Sequence, residues 1–159
     1  MFQRLFGALA VGAIALVGFT APANAETGRQ VFTVVVRQSG NEADCRVVAA
    51  GPITGVGGCQ VEELGDQRIV HVFLPRGDVD ITPTTVSASD NFNEQACVDR
   101  FTSVVTFELT GVSGAYASAS GSGTDNLTAV FWAPRTPEGC PEQPSGGIIV
   151  ARLTGTVTV

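Results

Sequence analysis

From Gln30 onwards apolar and polar side chains alternate with a period of two, the repeat of a strand with one buried face. No stretch from there on shows the longer repeat of a convincing amphipathic helix. The clearest strand places Phe101, Ser103, Val105, Phe107 and Leu109 on one face, with Thr102, Val104, Thr106, Glu108 and Thr110 on the other. Near the C-terminus Ile149, Ala151, Leu153, Val157 and Val159 alternate with Arg152, Thr154, Thr156 and Thr158. Further strand-like runs cover 30–37, 46–50 and 58–64 as a hairpin, 68–74, 80–89, 115–123 and 127–132, with loops at 90–95 and 134–147. The pattern predicts an all-β domain, a single closed or nearly closed antiparallel β-barrel of about eight strands, with a β-sandwich as the alternative. The last strand reaches the final residue, so it is expected to pair with another strand and close the sheet.

The first 25 residues break this pattern. Arg4, an apolar run over 5–19 and then Ala23-Asn24-Ala25 follow the order of a secretory signal peptide with a small-x-small cleavage site. Residues 1–25 are therefore expected to be removed, leaving 26–159 as one domain. The apolar run falls short of the roughly 20 residues of a spanning helix and stops before Pro22. With no second such run, no membrane span is expected after cleavage. The mature protein is expected to be secreted, or periplasmic in a host with an outer membrane.

Charge narrows the partners. Nine basic residues, all of them arginine, stand against 15 acids, for a net charge of −6. That balance argues against nucleic acid and anionic membranes, which both select basic patches. Without lysine, neither Schiff-base chemistry nor a Walker-type phosphate loop is available.

Four cysteines, Cys45, Cys59, Cys97 and Cys140, read as two disulfides in an exported chain, and three connectivities are possible. Cys45 and Cys59 flank a turn-rich stretch symmetrically about Pro52, so strands folding back there would set them opposite each other. Cys140 lies in a Pro/Gly-rich loop that needs a tether. The favoured pairing is Cys45–Cys59 with Cys97–Cys140. Without a C-x-x-C pair, and with one histidine, a zinc site is not expected, and no cofactor is implied.

The segment 110–124 resembles the signature of allene oxide cyclase-like and dirigent-like β-barrels, a tight turn followed by an aromatic and small residues. Gly111, Ser113, Gly114, Tyr116, Ala119 and Gly121 carry the match. Small secreted actinobacterial proteins of unknown function have similar stretches. The resemblance implies a barrel and, at most, a site that steers a reactive intermediate by shape; it maps no catalytic residue onto this chain.

Candidate chemistry is sparse. His71, the only histidine, shares a strand face with Ile69 and Phe73 and is a candidate cavity residue or a hydrogen-bonded rim or core residue. Tyr116 and Arg100 are the other candidate ligand contacts, with Glu108 and Arg152 as further polar groups on strands. No G-x-S-x-G elbow supports a serine hydrolase. Asp78 and Asp80 would point the same way, as a carboxylate pair or a solvated turn. Asp90, Asn93 and Glu94 form a weak cation pattern that fits no EF-hand. Of the adjacent Phe131 and Trp132, only one can face a core. Three readings follow: a binder of a small apolar molecule or an extracellular interaction module, an enzyme-like guide, and a purely structural protein with a filled interior.

Overall fold

The computed structural model describes residues 25–40, 42–65 and 67–159. The expected signal peptide lies outside the described residues except for Ala25. Eight strands follow one another: β1 (Thr27–Ser39), β2 (Glu42–Ala50), β3 (Gly55–Leu64), β4 (Gln67–Leu74), β5 (Gly77–Asn93), β6 (Val98–Gly111), β7 (Ser120–Trp132) and β8 (Gly146–Thr158). Each pairs antiparallel with its neighbours, and β8 returns to β1 to close the barrel. The C-terminal strand thus has partners on both edges, β7 and β1, as its pattern required.

Alternation decides what fills the interior. Phe32, Val47, Val72, Val79, Ile81, Phe107, Leu109, Leu153 and Val157 point inward and are buried. Outward positions such as Thr102, Thr106, Glu108, Thr128 and Arg152 are exposed. Fully burying a side chain of this kind stabilises the fold by about 1.5–3 kcal/mol relative to leaving it in water.

Two elements differ from the pattern. The runs at 115–123 and 127–132 are not separate strands: 120–132 is the single strand β7, and Gly114–Tyr116 forms a short 3-10 turn before it. The 90–95 loop is shorter than expected, because β5 continues to Asn93. There the Asn93 side-chain carbonyl accepts the amides of Gln95 and Ala96, both at 3.0 Å, and turns the chain.

The end of the barrel where β1 and β5 begin is plugged. Gln30 is fully buried, yet its amide is saturated: it donates to the Ile53 carbonyl at 3.0 Å and accepts the Ile53 amide at 2.9 Å. Tyr116 seals the same end from the 112–119 loop, with its ring buried and the Arg76 guanidinium 5.7 Å from its centroid. Two glycines of the segment that carries the family resemblance serve this turn in different ways. Gly114 takes a φ of 60°, which favours glycine. Gly111 instead needs to lack a side chain, since a Cβ would strike the Tyr116 carbonyl.

Disulfides join Cys45 to Cys59 and Cys97 to Cys140, the pairing favoured by the turn and the loop. The first fastens β2 to β3 where their ladder ends, and the second ties the 133–145 loop to the β5–β6 turn.

Candidate functional site

Above the plug the barrel is hollow. A cavity of about 810 Å³ occupies the other half, and its walls are mostly apolar: Val34, Val36, Val70, Ile81, Phe101, Val105, Leu127, Ile149, Ala151 and Leu153. An eight-stranded barrel is about wide enough to hold either its own side chains or one small ligand. Here the lower half does the first, and the upper half leaves space for the second.

The β3–β4 hairpin forms one side of the mouth. Its ladder to β2 stops at Arg46 and Gly58, and its ladder to β5 stops at Val70 and Ile81. Residues 60–64 and 67–69 are therefore paired within the hairpin but to neither neighbouring strand. Val61, Glu63, Gln67 and Arg68 of this segment line the cavity, facing Thr82 to Thr85 of β5. Arg68 donates to the Glu63 carboxylate at 2.8 Å, so these two charges compensate each other.

Deep in the wall lies Asp125. It stands on β7 in register with Val105 of β6 and Leu153 of β8, and only 6% of its surface is exposed. Its Oδ1 has no hydrogen-bond partner. Burial pushes its carboxyl up from the ordinary value to about 6, against a smaller opposing effect of the Arg152 backbone. Ser103, also buried, opposes Leu127 and so is the diagonal neighbour of Asp125 on the same inner face.

The residues singled out from the sequence are elsewhere. His71 does share a face with Ile69 and Phe73, but that face is the outside of the barrel. Its Nε2 meets the Glu62 carboxylate at 3.0 Å and its Nδ1 that of Asp80 at 2.8 Å; both carboxylates accept from the protonated ring, which raises its pKa. Tyr116 is part of the plug, and Arg100 is exposed on β6. None of the three lines the cavity, and the structure does not bring them together. Asp78 accepts from the Ser113 hydroxyl at 3.0 Å while Asp80 holds His71, so the two carboxylates serve separate contacts. Asn93 is occupied by its turn, and the Glu94 carbonyl accepts from Arg135. Among the described residues no three His, Cys, Asp or Glu side chains converge as a metal site. Of the adjacent aromatics, Trp132 is exposed.

Asp125 itself had a signal in the sequence. The inward parity of Leu127 and Ala129, carried back two residues, falls on an acid where the barrel wall wants an apolar side chain. No protein-family model matches this chain, and no curated protein or solved structure matches it either.

Proposed function

We propose that the mature chain is an exported binding protein that holds one small, mainly apolar molecule inside the barrel. The cavity carries this reading: its volume lies in the range of ligand pockets, and its wall is mostly apolar with polar groups towards the mouth and at Ser103 and Asp125. Two disulfides suit an oxidising compartment. The outer wall supports a protein in water, since β6 and β7 present Thr102, Thr106, Glu108, Thr124, Asn126 and Thr128 outward, whereas a lipid-embedded barrel presents an apolar belt.

Titration with phenylnaphthylamine, a neutral dye that brightens in apolar surroundings, tests this directly. Saturable binding of one dye per chain is expected, weakened by narrowing the cavity with Ala151→Phe. A folded wild-type protein that neither binds the dye nor retains any small molecule through native mass spectrometry would refute the reading.

A second reading keeps the enzyme-like guide in play through one observation. A buried carboxyl with a pKa of about 6 on the cavity wall, Asp125, is suited to moving a proton at neutral pH. The residues that carry the family resemblance, 110–124, run from the plugged end into β7 and supply no such group themselves.

A further inference from the structure

We infer that Asp125 is the recognition point for a cationic amine, so that the molecule held in the barrel is an apolar amine inserted with its protonated nitrogen towards β7. This inference rests on the cavity being a binding site and names the chemistry of its occupant.

The argument starts from a contrast within one barrel. Gln30 is as deeply buried as any residue, and both ends of its amide are paired with Ile53. Asp125 is buried too, lines the cavity, and has an oxygen with no partner. An unpaired buried acceptor is costly, and a charged one more so. From the surrounding wall the carboxyl gains only the Arg152 backbone, and its Oδ1 stays unpartnered. The flanking inward residues Val105 and Leu153 are apolar, and Arg152 points to solvent, with only its backbone near the carboxyl. Across the cavity the titratable groups among the described residues are Glu63 and Arg68, already paired with each other. Among the described residues, the net charge of the lumen at neutral pH is therefore the single negative charge of Asp125.

An ammonium group supplies what is missing. It neutralises the carboxylate and donates to it, and the Ser103 hydroxyl nearby can accept a second of its N–H groups. An alcohol would donate one hydrogen bond but leave the charge uncompensated. A fatty carboxylate would add a like charge to a desolvated site and is selected against. The apolar remainder of the ligand lies against Val36, Leu127 and Ile149.

The test compares decylamine, decanol and decanoate as displacers of phenylnaphthylamine from the full mature protein at pH 7.5. Decylamine should displace the dye at a concentration about tenfold or more below decanol, corresponding to roughly 1.4 kcal/mol, with decanoate weakest. In Asp125→Asn the dye should still bind and the amine preference should collapse. An equal or reversed order in the wild type, or an undiminished preference in Asp125→Asn, would overturn the inference while leaving the cavity reading intact. Failure of the dye to bind the wild type would overturn both. If Asp125→Asn does not fold, the wild type alone decides: the amine preference should fade between pH 7.5 and 4.5 as the carboxyl protonates, and a preference constant with pH would reject the role of Asp125.

Discussion

The Tyr116 hydroxyl bridges both backbone groups of Thr54, donating to its carbonyl at 3.0 Å and accepting its amide at 3.2 Å. These contacts join the 112–119 loop to the β2–β3 turn across the plugged end. Tyr116→Phe leaves the Thr54 groups without that partner, at a cost of about 1–3 kcal/mol. Urea unfolding should show this loss, while phenylnaphthylamine affinity stays unchanged because Tyr116 does not line the cavity. A variant of full stability and weakened dye binding would instead place Tyr116 in the site.

Asp125 makes stability depend on pH with a definite sign. Its folded pKa, about 6, lies above its ordinary value near 3.8, so the folded state holds the proton more tightly than the unfolded chain. The penalty is absent below the unfolded pKa, grows as pH rises between the two values, and is complete above the folded one. A difference of that size corresponds to roughly 3 kcal/mol. Asp125→Asn should therefore be more stable than the wild type at pH 7.5 and lose most of that advantage by pH 4. Equal wild-type and variant unfolding curves at both pH values would contradict the burial argument.

Much of the fold could be read from the alternation of β6 and β8, where one face is apolar and the other polar, and from the turn between Cys45 and Cys59. β4 offered no such guide. Ile69, Val70, His71, Val72, Phe73 and Leu74 carry apolar side chains on both faces, so the alternation groups His71 with Phe73 without saying which face is inside. Closure of the barrel decides it: Val72 and Leu74 are buried and Phe73 is exposed. The site was hidden for a related reason. Thr124, Asp125 and Asn126 form a polar run that reads as a break between strands, yet the backbone runs straight through them and only the middle one turns inward.

His71 links three strands on the outer wall, contacting Glu62 of β3 and Asp80 of β5 from β4. Hydrogen bonds to Glu62 and then Asp80 raise its pKa above 6.5. The stabilisation is therefore fully present below the unfolded value and is lost as pH rises through the folded one. His71→Gln should remove this acid-side gain in stability and leave dye affinity unchanged, whereas Asp125→Asn should retain the gain. NMR titration of the His71 ring provides the direct check: a pKa at or below 6.5 would show that the two carboxylates do not hold it.

The Cys45–Cys59 bridge sits where β2 and β3 part, at the root of a hairpin that is unpaired along both outer edges over 60–64 and 67–69. Closing a loop of about this length contributes roughly 3 kcal/mol in the chain-entropy model. Cys45→Ser and Cys59→Ser should each lose about that amount, and the double variant should lose no more than either. The bridge also anchors one side of the cavity mouth, since Cys45 lines the cavity and Val61, Gln67 and Arg68 follow along the hairpin. Removing it should speed amide exchange in 60–69 more than in β6 or β8, and should increase dye release more than dye association. Uniform acceleration across all eight strands would show instead that the bridge acts only through the unfolded chain.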